Sequence, residues 1–333
     1  MLPPKKFVNL LYHFSKTIAI INYLLYNGYT KENMMYHLIV KKDNLANKKN
    51  AEKFKRALEV FDGAGINYTI HETSLKDEAK NITREVTSGK GNSVITVGGD
   101  GTLHDVLNGF CDFENNTLGL IPFGTGNDFA ESAHIPFDAE KAAQIIVEGY
   151  SKKIDFIQLE SGLRSINAVG MGIDVDVLKR AYSGKSVKRS KYLKALIVSL
   201  IKFKSYDFTV KYNGKEENHF GLIAALGNGR QLGGGIKMFP EADIADGKLN
   251  LFIADYISKP AIIGAFSKLM RGKVNKVKQV TALACDSVEF IPHGENYTIE
   301  ADGELYENVP LAAHIERAKL NFYLKNENNK DGK

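Results

Sequence analysis

The chain has 333 residues and 44% hydrophobic content, long enough to bury a sizeable core and, by length, to favour two domains. Its formal charge of +5 is too weak to argue for a nucleic-acid partner, and none is expected. Cys111 and Cys285 are the only cysteines, which excludes a disulfide framework and a CxxC zinc site and fits a reducing cytoplasm.

Residues 1–33 differ in texture from the rest of the chain. Pro3, Pro4 and a lysine pair lead into residues 10–26, which carry the pattern of one amphipathic helix. The longest apolar run there, 18–26, is broken by Asn22 and falls far short of the roughly 20 residues that span a bilayer. No small-residue cleavage site comes after it. The extension reads either as a docking helix or as the product of an upstream start codon.

From residue 36 the pattern alternates. Strands are expected at 36–40, 66–71, 93–97 and 117–121, and helices at 51–64, 77–88 and 139–148. Leu103, Val106, Leu107 and Phe110 share one face of a further helix. Such alternation is that of a parallel sheet with crossover helices. After about residue 150 the runs become short and strand-like, at 208–212, 220–226, 249–254, 287–291 and 297–300, with helices at 190–204 and 259–272. A mainly antiparallel β domain is expected there, and the polar tail after Leu324 is expected to fray.

Two glycine-rich loops come directly after two of the apolar strands. In Gly-Gly-Asp-Gly-Thr, Gly98, Gly99 and Gly101 leave backbone N–H groups open to phosphate oxygens, and a helix opening at Thr102 adds a favourable dipole. Asp100 would repel a phosphate unless a cation such as Mg²⁺ sat between them. The other reading of the motif alone is a strand-to-helix turn rich in glycine for tightness, the lesser of the two. The second loop, Phe123 to Asp128, is by itself a helix N-cap supplied by Asn127 or Asp128. Two such loops on one sheet point to a nucleotide site at its carboxyl edge.

Two further acidic pairs stand out. Asp243 and Asp246 lie three apart in a turn closed by Gly247, where the Lys248 carbonyl offers a third oxygen. That set suits a hard cation, or is simply a solvated turn. Asp302 and Glu304 flank Gly303; continued strand geometry would turn both carboxylates to one side, whereas a hairpin turn would not.

GGDGTLHDVLNG followed by IPFGTGNDFA resembles the catalytic domain of the diacylglycerol kinase family, the soluble bacterial lipid kinases. The resemblance runs over roughly residues 36 to 322 and includes NAVGMGIDVDV at 167–177 and GNGRQLGGGIKMFPEADIADGKL at 227–249. It implies an N-terminal three-layer α/β nucleotide-binding domain (34–150, with 315–333 returning to it) and a C-terminal β-rich lipid-binding domain (151–314), the active site lying in the cleft between. By the same resemblance Gly98, Gly99, Gly101, Thr102, Thr125, Asn127 and Thr73 hold ATP. Asp100, Asp128 and Glu304 surround a catalytic Mg²⁺, Asp302 is the general base, and Asp243, Asp246 and Lys248 hold a structural Mg²⁺.

The implied reaction is transfer of the γ-phosphoryl group of ATP to diacylglycerol, giving phosphatidic acid. Alternatives are another lipid alcohol (a sphingoid base or phosphatidylglycerol) or a non-catalytic nucleotide- or lipid-binding regulator. The regulator is motivated by one departure: where the family has an Asn-Pro-x-Ser-Gly loop, this chain reads VKKDNLANKKN, with Asn44, Asn47 and Lys48 as candidate substitutes.

From Lys179 to Lys204 there are nine Lys or Arg residues and no Asp or Glu. The run reads either as a solvated helix face or as a patch for peripheral contact with an anionic membrane. Leu193, Leu196, Ile197, Leu200 and Ile201 form a stripe expected to pack on the second domain, with Lys188, Arg189, Lys191, Lys194, Lys202 and Lys204 around it. A homodimer is one possible assembly. His104 is expected at the surface, and His293 and His314 without a role.

Overall fold

The computed structural model describes residues 35–181, 189–294 and 297–326. The extension 1–33 with its expected helix, Lys188, the side chains of Arg189, Lys191, Leu193 and Ile197, and the tail beyond 326 lie outside the described residues.

The first unit is built on β1 (Met35–Lys41), β2 (Tyr68–Thr73), β3 (Asn92–Gly98) and β4 (Thr117–Pro122), all parallel, in the order β4-β3-β1-β2. From Ser93 to Gly98 every residue of β3 is buried, as the β-branched run of a strand covered on both faces requires. Helix α1 (Lys42–Ala46) is a short turn without buried residues. Asn47 caps α2 (Lys48–Gly63), accepting from the Lys49 and Asn50 N–H groups at 3.0 and 3.4 Å. The divergent segment after β1 is thus helical, and α2 buries Phe54, Ala57 and Phe61 on one face. The layer is completed by α3 (Glu78–Thr87), α4 (Asp100–Gly109), α5 (Asp128–Ser132) and α6 (Ala139–Glu148). Asp138 caps the start of α6, and Gly149, at φ 78°, ends it.

The remaining strands are β5 (Ser151–Leu159), β6 (Arg164–Ser165), β7 (Ala168–Gly172), β8 (Tyr206–Tyr212), β9 (Lys215–Gly227), β10 (Leu249–Asp255), β11 (Val280–Cys285), β12 (Ser287–Pro292), β13 (Thr298–Ala301), β14 (Glu304–Glu307) and β15 (Leu311–Tyr323). Pairing from β7 through β14 is antiparallel. Its first half beside β12 and its end beside β4, at Phe322↔Leu118, make β15 the strand that joins both units into one sheet.

Four hydrophobic clusters result from this topology, the smallest of them gathering Leu222, Ile257, Ile262, Ala265 and Val277. One lies under the parallel strands and takes in Leu320, Phe322 and Tyr323 of β15. A second fills the inner face of the antiparallel strands. The third separates the sheet from α7 (Ile173–Ala181), α8 (Arg189–Lys202) and α9 (Lys259–Met270). On α8, Leu196 is buried and Leu200 half-buried in this layer, but Ile201 is 55% exposed, so the expected stripe is narrower than its periodicity suggested. No helix of the described residues is long and apolar enough to cross a membrane.

Candidate active site

The register Val97↔Ile121 and Gly98↔Pro122 brings both glycine loops out of the sheet at one edge. There they touch: Phe123 N–H donates to the Gly98 carbonyl at 2.8 Å. A Cβ on Gly99 would lie 2.7 Å from the Gly124 Cα, and one on Gly124 would lie 2.5 Å from the Gly99 Cα. Glycine is needed at both positions because backbone packs on backbone.

Helix α4 begins at Asp100 rather than at Thr102 as expected. The carboxylate therefore stands in the first helical turn, where the dipole favours it, and Thr102 is buried beneath Gly98. In the second loop Asn127 does not cap α5 with its side chain; at φ 54° it folds back on its own loop. Its Oδ1 accepts from Gly124 N–H at 2.9 Å and its Nδ2 donates to the Gly124 carbonyl at 3.0 Å. That amide shapes the loop, while Thr125 is exposed on the cavity wall.

Asp100 and Asp128 converge over Gly126. A Cβ there would sit 3.1 Å from Asp100 Oδ2 and 3.7 Å from Asp128 Oδ2, a space that only glycine leaves open. Asp100 also accepts from Phe129 N–H at 3.3 Å, and Asp128 from Gly234 N–H at 2.8 Å. Burial, and then the Asp128 charge, push Asp100 up to about 7. Asp128 is raised likewise by burial. Half-buried Asp100 and buried Asp128 thus present carboxylate oxygens of the kind a hard divalent cation takes, although among the described residues no third His, Cys, Asp or Glu joins them at metal-binding spacing.

The opposite wall comes from the second unit. Asp302 (φ 50°) and Gly303 (φ 88°) form the two-residue turn between β13 and β14, the left-handed pair of a tight hairpin. Strand geometry does not continue, and the two carboxylates part company. Glu304 is exposed, with its Oε1 against Gly101. Loss of water around its carboxyl, then the Asp105 charge, raise its pKa.

Asp302 is buried and accepts five hydrogen bonds. Oδ1 takes them from Ser165 Oγ (2.6 Å), Asn167 N (2.9 Å) and Ala168 N (3.2 Å), and Oδ2 from Ile166 N (3.0 Å) and His104 Nδ1 (2.9 Å). Burial alone would raise its pKa, but His104 and the Ser165 and Asn167 donors outweigh burial and hold it below the ordinary range.

His104 corrects another expectation. It is 1% exposed, not at the surface. Because the carboxylate only accepts, Nδ1 carries the proton; Nε2 then accepts from Tyr306 OH at 2.6 Å and from Asn108 Nδ2 at 3.3 Å. The histidine pins α4 to the hairpin of the other unit.

Between these walls lies a cavity of about 430 Å³ that Gly99, Asp100, Gly101, Thr102, Thr125, Asp128, Asp302 and Glu304 all line. A neighbouring cavity of about 560 Å³ shares Lys41, Asp43 and Glu304 with it and adds Thr73, Lys76 and Lys80. Thr73 is buried at the end of β2, its hydroxyl donating to the Val40 carbonyl at 3.4 Å.

Sequence reasoning missed Asp174 and Glu300 on the first cavity wall. Asp174 Oδ2 and Glu300 Oε1 are buried without a hydrogen-bond partner. Burial pushes Asp174 up to about 7, and burial with the Asp174 charge raises Glu300. The signal was an acid set between Ile299 and Ala301, and another inside the 167–177 motif.

Asp243, Asp246 and Lys248 line neither cavity. Asp243 accepts from Ala245 N–H and Asp246 from Lys248 N–H, each at 3.0 Å. Gly247 N–H donates to buried Asp155, which also accepts from Ala318 N–H. Among the described residues no three His, Cys, Asp or Glu gather at metal-binding spacing, so a cation in this turn would need carbonyl and water ligands as well.

Residues 37–159 match the model of the diacylglycerol kinase catalytic domain, and residues 167–323 match that of the YegS C-terminal NAD kinase beta sandwich-like domain. A Cronobacter sakazakii protein named "Probable lipid kinase YegS-like" is 31% identical over 212 residues, 61% of this chain and 69% of that one. The Bacillus subtilis diacylglycerol kinase is 27% identical over 257 residues, 75% of this chain and 83% of that one. A crystal structure of a diacylglycerol kinase from Bacillus anthracis str. Sterne superposes with a TM-score of 0.68 at 19% identity, covering 87% of this chain and 97% of that one, and so shares the fold.

Proposed function

Since the chain belongs to the diacylglycerol kinase catalytic-domain family and is a lipid kinase, we propose that it transfers the γ-phosphoryl group of ATP to the hydroxyl of diacylglycerol, giving phosphatidic acid. The observation that carries this reading is the meeting of three parts at one cavity. The two glycine loops touch at Gly99 and Gly124, the Asp100 and Asp128 carboxylates converge over Gly126, and the 302–304 hairpin closes the opposite side.

In the proposal ATP lies along the carboxyl edge of the parallel strands, its phosphates against the backbone of Gly99 and Gly101 and near Thr125, which line the first cavity; Gly98, expected to join them, is buried in β3 off the cavity, and Thr102 N–H already donates to the Gly99 carbonyl at 3.1 Å. Thr73, Lys76 and Lys80 line the neighbouring cavity, and Lys41, which borders both, supplies positive charge where the departed family loop would have stood. Mg²⁺ would be held by Asp100 and Asp128 and would neutralise charge developing on the phosphates. Glu304 takes the proton from the lipid hydroxyl, since it is an exposed residue whose carboxyl borders the cavity and whose pKa is raised, first by loss of water around the carboxyl. Asp302, the base by resemblance, is reassigned: five donors fill both its oxygens, so it positions the hairpin and His104. The turn with Asp243, Asp246 and Lys248 remains the proposed structural Mg²⁺ site. We place the unit boundary near residue 150, with the end of β15 serving the first unit, and the protein in the cytoplasm at the membrane surface.

A second reading keeps the kinase and changes the acceptor to a lipid alcohol with a further donor, such as a sphingoid base or phosphatidylglycerol. Unpartnered Asp174 Oδ2 and Glu300 Oε1 favour it, because a ligand hydroxyl or ammonium would satisfy them. Labelled ATP with mixed micelles of each lipid decides between them, and Glu304→Gln should lower kcat by on the order of 10² to 10⁴ with KM for ATP little changed. ATP binding without transfer to any lipid would leave only the regulator.

A further inference from the structure

The run from Lys179 to Lys204 has a counterpart. From Tyr256 to Cys285 there is again no Asp or Glu, while Lys259, Lys268, Arg271, Lys273, Lys276 and Lys278 supply six cations. Together the two stretches hold 15 Lys and Arg and no acid; the rest of the chain has 29 Lys and Arg against 39 Asp and Glu. The modest net charge therefore conceals a strongly basic region on an otherwise acidic molecule.

The fold joins the described parts of the two stretches at the end of α8. Leu200 and Phe203, at the end of α8, pack against Ile262 and Ala265 of α9. Around this junction stand five of the ten exposed large hydrophobic side chains of the described residues: Ile263 at 74%, Ile201 and Tyr256 at 55%, Phe220 at 50% and Met270 at 40%. Phe220 and Tyr256 form one unit, their rings stacked at 5.9 Å and the Tyr256 N–H donating to the Phe220 carbonyl at 2.9 Å.

We propose that this α8–α9 face, with the Phe220–Tyr256 pair, is the surface that docks on an anionic lipid bilayer. The chemistry selects that partner over others. A second copy would set one positive field against another and be repelled. Nucleic acid would use the cations but gain nothing from Ile263 and Met270, whose aliphatic tips suit the acyl boundary of a leaflet. Basic residues around protruding apolar ones are the pattern of an interfacial anchor, with charge drawing the protein down and apolar groups holding it. The position serves the site. Helix α7 packs on α8 and gives Leu178 to the wall of the first cavity, so docking here brings the leaflet beside the cavity a lipid must enter.

The inference deepens the lipid-kinase reading and rests on it for its purpose, but its test needs no turnover. The full chain is sedimented without ATP with vesicles of phosphatidylcholine, with and without phosphatidylglycerol, at low and high salt. Wild type should prefer the anionic vesicles. Phe220→Ser/Tyr256→Ser/Ile263→Ser should weaken binding at least tenfold at either salt. Lys259→Gln/Arg271→Gln/Lys273→Gln should weaken it roughly fivefold per cation removed, at low salt alone. Both variants should keep the wild-type circular dichroism and melting temperature, and wild-type turnover of a water-soluble short-chain diacylglycerol. Equal binding to neutral and anionic vesicles, or variants that bind as wild type does, would overturn the proposal. So would a wild-type dimer, seen in sedimentation velocity, that the apolar variant converts to monomer, because the face would then serve self-association. Vesicle binding as expected without phosphorylation of any lipid would uphold the docking surface and refute the kinase reading.

Discussion

Asp302 is held by more partners than any other carboxylate on the cavity wall. Its two oxygens receive five donors, so Asp302→Asn would set an amide NH₂ against backbone N–H groups. The expected cost is about 3 kcal/mol in urea unfolding; wild-type stability would mean that the carboxylate is not held in this way. Asp100 behaves in the opposite sense. Its folded pKa of about 7 lies above the ordinary value, so its contribution to stability is complete below about pH 4 and is lost as pH rises through 7. Asp302, held low, contributes above about pH 4 and loses that contribution only as pH falls. Without divalent cations, the melting temperature should therefore decline between pH 5 and pH 8. Asp100→Asn should lessen that decline, leaving the part carried by Asp174, which burial also pushes up to about 7, and should raise the melting temperature at pH 8 while abolishing turnover. An unchanged profile in the variant would show that Asp100 is not among the titrating groups.

At the scale of elements, strands and helices were legible because burial writes a period into sequence: the parallel strands and α2, α3 and α6 match the apolar pattern closely. Loop geometry was less legible. That α4 starts at Asp100, that Asn127 is spent on Gly124, and that the segment after β1 is helical all depend on backbone hydrogen bonds that composition does not encode. In sequence the glycines signify room for phosphate, yet Gly99 and Gly124 are first of all required by each other. Gly124→Ala would drive a methyl into the Gly99 backbone; overpacking of this kind costs about 1–3 kcal/mol. Splaying the loops should lower kcat/KM for ATP at least a hundredfold, whereas the same change at exposed Gly63, where nothing lies within 4 Å and φ is negative, should leave ATP kinetics unaltered.

For the whole molecule, β15 matters most. It closes the antiparallel sheet against β12 and then delivers Leu320, Phe322 and Tyr323 into the core beneath the parallel strands. Residues 35–150 expressed alone should therefore unfold without cooperativity in urea, and adding a peptide of residues 311–324 in trans should sharpen the transition; a sharp transition in the bare fragment would show the first core to be self-sufficient. The same strand explains why His104, on α4, can be buried against a hairpin almost 200 positions later in the chain.

By itself the sequence determined the alternation of the first unit, the antiparallel texture of the second and the residue types at the two glycine loops, since these arise from local periodicity and from what a phosphate or a cation demands of its neighbours. Only the tertiary structure decided which carboxylate is saturated and which is accessible. It alone revealed the buried acceptors Asp174 and Glu300 and packed the end of α8 against α9, whose stretches of chain both lack acids. Burial and hydrogen-bond partnership are set by residues far apart in the chain, and charge and polarity alone do not reveal which of them will meet.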